Sequence, residues 1–385
     1  MAPALAAIGA LLSALATLYA LAALLCRPRT WRPARGAAAP ALLPVSVLKP
    51  LCGAEPNLER NLASLCRQTH PCYQLVFGVH DPGDPAAQVV ARLALRFPDV
   101  DMQLVADPRI HGSNLKVSNL INMRAAARHP WLVLADSDIG VDPDYLERVT
   151  APLAEPGTGI VTCLYRGVAA GGFWSRLGVL FIDTWFAPSV AVASRGGGNA
   201  FGFGATIALR AETLDRIGGF EALKDRLADD FWLGELTRRQ GLATVLSEVV
   251  VTTDVTERSL ASLWARERRW MQTIRSLNPP GYAFCFVTFT LPMLALGLWL
   301  APMPWNWALA LPGLGARLLL HWRAEPGLAS LPLAPILATL RDCLLLVEWL
   351  SAFAGSTTRW RGHRLRVDGR REAASVPLPA APEKT

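Results

Sequence analysis

Residues 1–26 contain no Asp, Glu, Lys, Arg or His and consist largely of Ala and Leu. At 1.5 Å rise per residue, a helix of that length crosses a hydrocarbon core about 30 Å thick. A cleaved signal peptide would instead require a basic start, a shorter apolar core and a cleavage site, and none is convincing here. The run ends in Arg27, Arg29, Arg32 and Arg35, a cluster that the positive-inside rule assigns to the cytoplasmic side, with the N-terminus outside. Any fold for this chain must therefore begin from a point fixed in a bilayer. Residues 27–44 form a basic linker, Ala- and Pro-rich over 36–44, into a part of different character.

Hydrophobic residues make up 52% of the 385 and charged residues only 18%, so further membrane segments are expected. The net charge of +7 suits anionic lipid headgroups or phosphates. It is not gathered into one stripe, and no nucleic-acid-binding motif is present, so nucleic acid is not an expected partner. Seven cysteines, without a C-x-x-C pair, support neither a zinc knuckle nor a disulfide framework. A reducing, cytoplasmic setting for the central part fits this best.

From 45 to about 278 short apolar runs alternate with helical stretches. Strands are expected at 45–48, 75–79, 102–105, 131–135, 160–164, 206–209 and 243–251, and helices at 57–67, 85–97, 118–128 and 143–153. This alternation predicts an α/β domain with a mostly parallel sheet covered on both faces. Ligand sites in such sheets lie beyond the carboxyl ends of the strands. Asp81 and Asp136 both fall there.

The run Trp131-Leu-Val-Leu-Ala-Asp136-Ser-Asp138 delivers two carboxylates, one residue apart, into the loop after a buried strand. Such a pair can hold Mg²⁺ or Mn²⁺, which combine one or two carboxylates with phosphate oxygens; a solvated Asp-rich turn is the alternative. Asp81 sits in a Pro/Gly loop, where it is either a turn former or an acceptor for a nucleotide base or ribose. Lys116, in Asn114-Leu-Lys-Val-Ser118-Asn, either reaches a phosphate or base or is simply solvated, and Ser118 is the expected N-cap of the following helix. Asp229 and Asp230 open an apolar helix. Dipole compensation explains one of them, and a carboxylate beside Phe231 and Trp232 is placed where the pKa of a base rises. Arg266, Arg269 and Trp270, at i, i+3 and i+4, share a helix face that suits either a diphosphate clamp with an acceptor pocket or a basic membrane-surface helix.

Taken in order, His80-Asp81-Pro-Gly-Asp84-Pro, Asn114-Leu-Lys116-Val-Ser-Asn119, Asp136-Ser-Asp138, Asp229-Asp230-Phe-Trp and Arg266-x-x-Arg269-Trp270 resemble the ceramide glucosyltransferase family of inverting glycosyltransferases. Thr162-Cys-Leu-Tyr-Arg166-Gly and Phe203-Gly-Ala-Thr206 are most similar to its bacterial hopanoid-biosynthesis branch. The resemblance runs from about 42 to 367 and includes Trp360-Arg-Gly-x-Arg364-Leu-Arg366. It implies a glycosyltransferase A-type, Rossmann-like catalytic domain over 45–278, facing the cytoplasm from the inner membrane. It also implies a UDP-sugar donor, UDP-glucose or UDP-N-acetylglucosamine, a membrane-lipid acceptor and a Mg²⁺ or Mn²⁺ cofactor. Carried over by position, Asp81 would bind uridine, Lys116 would support the nucleotide, Asp136 and Asp138 would hold metal and diphosphate, and Asp230 would be the catalytic base. Arg266, Arg269 and Trp270 would close over diphosphate and acceptor. Many eukaryotic members have Gly where this chain has Asp138, and Glu is often found where it has Asp229, which leaves open which of Asp229 and Asp230 is the base.

Two stretches suit a lipid acceptor. Residues 173–193 are apolar but interrupted by Arg176, Asp183 and Pro188, and are read as interfacial, with Ser194 to Asn199 as a loop beside them that is either a gate or only a turn. After 281 comes a membrane block, 282–302, 304–321 and 331–354, within a C-terminal membrane region spanning 279–356. Arg317 and the Arg341-Asp342 pair mark one of its segments as re-entrant or superficial. Three crossings would leave the basic tail, 357–385, outside, whereas its Arg359, Arg361, Arg364 and Arg366 favour inside. A lipid transporter is the rival class, but one N-terminal helix and a short C-terminal block are too few segments for a transporter core.

Overall fold

The computed structural model describes residues 2–32, 42–197, 201–324, 334–355, 357–360, 363–366 and 375–376. Most of the linker, Arg35, the Gly198-Asn199 end of the expected gate and most of the tail, Arg361 included, lie outside them.

Eight strands form the central sheet: β1 Val45–Pro50, β2 Tyr73–Val79, β3 Asp101–Ala106, β4 Trp131–Leu134, β5 Ile139–Gly140, β6 Thr158–Ala169, β7 Ile207–Arg210 and β8 Ala243–Val255, in the order β3-β2-β1-β4-β7-β6-β8-β5. The β3-β2-β1-β4 half and the β6-β8 pair are parallel, whereas β7 and β5 run antiparallel to their neighbours. All seven expected strands are present. The sixth continues to Ala169 because its second half, after a bulge near Thr162–Leu164, pairs with Val250–Val255 of β8. Arg166 and Gly167 interrupt its apolar pattern and hide that extension from sequence.

Helices cover both faces. On one, Leu58–Leu65 (α2), Pro85–Arg96 (α3) and Tyr145–Thr150 (α5) pack against Val45, Val47, Leu75, Phe77 and Val133. On the other, Leu115–Arg124 (α4), Ala211–Arg216 (α8) and Asp229–Arg239 (α9) pack against Leu48, Val76, Leu132 and Leu209. The opposite faces taken by Val47 and Leu48, and by Val76 and Phe77, follow from the two-residue period of a strand. α4 starts three residues before its expected position. Its cap is Asn114, whose side chain accepts from Val117 N at 3.1 Å, while Ser118 lies inside the helix and its hydroxyl accepts from His111 N at 3.1 Å. The amide oxygen of Asn114 is a better-placed partner for the first free N–H groups.

The remaining helices are Ala2–Leu25 (α1), Phe173–Phe181 (α6), Ala187–Arg195 (α7), Leu260–Leu277 (α10), Pro279–Phe284 (α11), Thr290–Leu300 (α12), Pro304–Ala324 (α13) and Ala334–Ala352 (α14). α1 packs between α12 and α13 at glycine distances. A Cβ on Gly297 would stand 2.7 Å from the carbonyl oxygen of Gly9, and one on Gly313 would stand 2.5 Å from Thr17 Oγ1. Small residues permit such approach where lipid supplies no hydrophobic drive between helices.

Among the described residues two stretches can cross a membrane by length and apolarity, Pro3–Leu25 and Phe173–Arg195, or three if Pro279–Thr288 and Thr290–Leu300, which meet at 72°, form one broken span. Arg176, Asp183 and Pro188 do not interrupt the second stretch. A single π turn, Ile182–Phe186, joins α6 to α7, Asp183 accepts from Gly167 N at 2.9 Å, and Pro188 follows that turn, with the Thr184 carbonyl four residues back accepting from Arg317. Nor are Arg317, Arg341 and Asp342 superficial; all three are buried and ion-paired. α14 is inside-out, with Arg341, Asp342 and Glu348 buried and Ile336, Val347 and Leu350 exposed.

Candidate active site

The carboxyl ends of β1, β2 and β4, the start of α4, the Phe203–Ala205 turn, the start of α9 and one face of α10 enclose a cavity of about 460 Å³. Lys116, Asp136, Asp138, Asp229, Asp230, Arg269 and Trp270 all line it. Four motifs spread from Lys116 to Trp270 thus line one cavity.

Lys116 sits at the centre. Its Nζ lies 2.7 Å from Asp136 Oδ1 and 3.2 Å from Asp229 Oδ2. Burial opposes the charge, yet Asp136, Asp229 and Asp230 outweigh it and hold the ammonium well above its ordinary pKa. Asp229 is further held by Asn114 Nδ2 at 3.4 Å.

Asp230 is differently placed. Its two oxygens accept from the backbone N–H groups of Phe231, at 2.8 Å, and Gly204, at 3.0 Å. Burial first, and then the charge of Asp229, push its pKa up to about 6, against the opposing pull of Lys116. The two acids of the Asp-Asp pair therefore separate, one bound to a lysine and one on backbone amides with a raised pKa.

Gly204 is the spacer between these groups. A Cβ there would stand 3.1 Å from Asp136 Oδ2, 3.2 Å from Lys116 Nζ and 3.6 Å from Asp230 Oδ2. Gly204→Ala is therefore expected to part these charged groups and lower the melting temperature, and an unchanged melting curve would show that the arrangement accommodates a methyl group.

The Asp138 carboxylate accepts from Thr253 Oγ1 at 2.9 Å, and Ser137 Oγ donates to Glu55 at 2.9 Å. Burial, Asp136 and Glu55 raise the pKa of Asp138 to about 7, against Thr253 and Lys49. Lys49, buried beneath this loop, donates to the Ile139 carbonyl at 3.3 Å, and burial lowers its pKa to about 8. The cluster is thus richer in carboxylate than its neighbouring cations balance, and every donor in it is a hard oxygen, which fits a hard divalent cation. Among the described residues no three His, Cys, Asp or Glu side chains form a cage. A cation using two carboxylates and completing its shell with phosphate and water needs none.

Two expected residues are placed elsewhere. Asp81 is exposed and folded back on its own turn, accepting from Gly83 N at 2.8 Å, and its neighbour His80 lines the cavity instead. Arg266 is turned away, its guanidinium 2.8 Å from Glu257 and 3.5 Å from Glu267 and stacked over Trp270 at 5.4 Å. The two acids capture it, so Arg269 and Trp270 face the cavity without it. Glu55, Tyr165, Phe203 and Thr253, which sequence reasoning did not single out as site residues, also line the cavity. Tyr165 and Phe203 lie within motifs that carried the resemblance, and that was the available signal for them.

The aromatic wall continues away from the acids. Tyr165 stacks on Phe186 at 5.0 Å and meets Phe203 and Trp270 edge-on at 6.2 and 6.5 Å, and Trp270 meets Phe181 at 5.5 Å. One side of the cavity is charged, and the other leads by aromatic contacts to the α6–α7 stretch.

The family model described as Glycosyl transferase family 21 matches residues 8–373, nearly the whole chain. The chain belongs to glycosyl transferase family 21. This family 21 protein is 26% identical over 245 residues to ceramide glucosyltransferase 1 of Caenorhabditis elegans, covering 62% of the chain and 52% of that relative. It is 29% identical over 108 residues to ceramide glucosyltransferase of Komagataella phaffii, covering 27% of the chain and 21% of that relative. The chain spans about half the length, or less, of the curated relatives it matches. Among solved structures it is similar to the mannosyltransferase PcManGT of Pyrobaculum calidifontis, in complex with GDP-Man and Mn²⁺, with a TM-score of 0.54 and 21% identity over 91% of this chain and 99% of that one. The α/β domain thus has the glycosyltransferase A-type fold.

Proposed function

We propose that this family 21 glycosyltransferase moves a sugar from a UDP-sugar to a hydroxyl of a membrane lipid, with inversion at the anomeric carbon. The observation that carries the reading is Asp230: a half-buried carboxylate on two backbone amides, with a raised pKa, where the charged wall of the cavity meets the aromatic wall. The charged wall suits a nucleotide diphosphate, and the aromatic wall, joined to an apolar helical stretch, suits a lipid.

In this reading Asp230 accepts the proton of the lipid hydroxyl as its oxygen bonds to the anomeric carbon of an α-linked donor. The bond to UDP breaks, and the product is β-linked. Lys116 and Arg269 stabilise the charge that develops on the leaving diphosphate. Asp136 and Asp138 would hold Mg²⁺ or Mn²⁺, which would supply positive charge against the diphosphate. Asp229 fixes Lys116, so Asp230 is the base of the pair. Trp270 lies at the acceptor side, while Asp81 and Arg266 would reach the donor only after their present bonds are exchanged.

The motif around Tyr165 and the Phe203–Thr206 turn favour a hopanoid of bacteriohopanetetrol type as acceptor, with UDP-N-acetylglucosamine as donor. The curated relatives favour ceramide and UDP-glucose as the second reading. The basic residues after α1 favour a catalytic domain on the cytoplasmic face of the inner membrane. Purified full-length protein incubated with radiolabelled UDP-N-acetylglucosamine or UDP-glucose and extracted hopanoid or ceramide tests this. Label in a lipid product with one pair identifies the substrates, whereas no lipid labelling with any pair defeats the proposal. Chelation by EDTA should abolish incorporation, and Mn²⁺ or Mg²⁺ should restore it; full activity in EDTA would remove the metal from the scheme.

A further inference from the structure

The helix that brings Arg269 and Trp270 to the cavity carries charge on its other, buried face. Glu267 of α10 has no exposed surface. Its carboxylate meets Arg341 of α14, with Oε2 2.8 Å from Nη2 and Oε1 3.2 Å from Nη1. Arg341, equally buried, also donates to Glu348 at 2.9 Å and to the Leu177 carbonyl of α6 at 3.4 Å, and lies over the Phe181 ring at 5.5 Å. Phe181 in turn contacts Trp270. The next residue, Asp342, faces the opposite way: it pairs with Arg317 of α13 and accepts from Leu291 N of α12 at 3.1 Å. Arg317 also donates to the Thr184 carbonyl in the π turn. Two adjacent residues of α14 thus link α10 to α6, α12 and α13.

We propose that Arg341 and Glu267 are positioning residues for sugar transfer. A fully buried ion pair is a weak source of net stability, because desolvation offsets the attraction. What it adds over an apolar contact is direction: a guanidinium fork shared among two carboxylates and a carbonyl fixes the rotation and height of α10, whereas apolar side chains would let the helix slide. Arg269 sits two residues from Glu267 and Trp270 three, so a slip of α10 moves both at the cavity wall. Misplacement by about 1 Å costs on the order of 10²-fold in rate. The inference rests on the reading of Arg269 as a diphosphate ligand.

The test uses full-length protein in detergent micelles, with UDP affinity, kcat and melting temperature measured for Arg269→Ala, Arg341→Lys and the neutral triple variant Arg341→Met, Glu267→Gln, Glu348→Gln. The triple leaves no unpaired charge at this site. Expected are a melting temperature close to that of the parent, UDP binding weakened about tenfold or more and kcat lowered about 10²-fold. Arg341→Lys, which keeps the charge but loses the fork, should fall between triple and parent. A triple that binds UDP and turns over like the parent, while Arg269→Ala weakens UDP binding, overturns the positioning role alone. Unchanged UDP binding in Arg269→Ala would defeat the reading beneath it. Should the triple melt well below the parent, Arg341→Lys decides: weaker UDP binding at an unchanged melting temperature supports the proposal, and parental binding overturns it.

Discussion

Asp230→Asn is expected to lower kcat about 10²–10⁴-fold while UDP affinity stays near that of the parent. The amide keeps an oxygen for one of the two backbone N–H groups, of Gly204 or Phe231, turns its NH2 toward the other, and cannot take a proton. Because a base works deprotonated, parental kcat should fall as pH drops through about 6, the value to which burial and Asp229 lift this group. That acid limb should be missing from the residual rate of the variant. Stability should move the other way. The folded protein holds the Asp230 proton more tightly than the unfolded chain does. This group therefore favours the fold below about pH 4, and that contribution is lost as pH rises through about 6. Removing the charge should leave the melting temperature at pH 7.5 equal to or above that of the parent. A variant that transfers sugar at a near-parental rate while binding UDP would remove Asp230 from the mechanism and return attention to Asp229.

Lys116→Met is expected to have the second large effect, lowering kcat/KM about 10²–10³-fold, the scale of losing one strong charge stabiliser. Met keeps most of the stem and removes the ammonium that lies between Asp136 and Asp229. Breaking a buried pair costs about 3–5 kcal/mol, but the Asp136 side chain is 37% exposed, so solvent screening reduces that figure here. Adding Asp229→Asn should recover part of the melting temperature and none of the rate. A double variant that recovers both would mean that Lys116 only neutralises Asp229 and does not act on the donor.

The sheet and the positions of the acids were legible because each rests on a local rule. Buried strands such as 131–134 read as continuous apolar runs, and residues just beyond their carboxyl ends, Asp136 among them, fall at the mouth of the sheet. Asp81 obeys the same rule yet folds onto Gly83, because a Pro/Gly turn can satisfy a carboxylate by itself. Arg266 shares a helix face with Trp270, as the spacing said, but helical spacing cannot reveal Glu257 waiting nine residues away. The partners Asp342 of Arg317 and Glu267 of Arg341 were illegible for a plainer reason: these ion pairs reach across 25 and 74 residues, and a charge in an apolar stretch looks the same whether it meets water or a buried counter-ion. The extended β6 was hidden by its own arginine and glycine.

The link between Glu267 and Arg341 also has a meaning in time. A ribosome makes Glu267 74 residues before its partner exists. Until α14 has been synthesised and docked, the nascent chain has the Lys116–Asp229 end of its pocket but lacks the counter-ion that seats the helix bearing Arg269 and Trp270. Completion of the active site therefore waits on α14, and a chain stranded before that helix docks is an unfinished enzyme rather than a loose one.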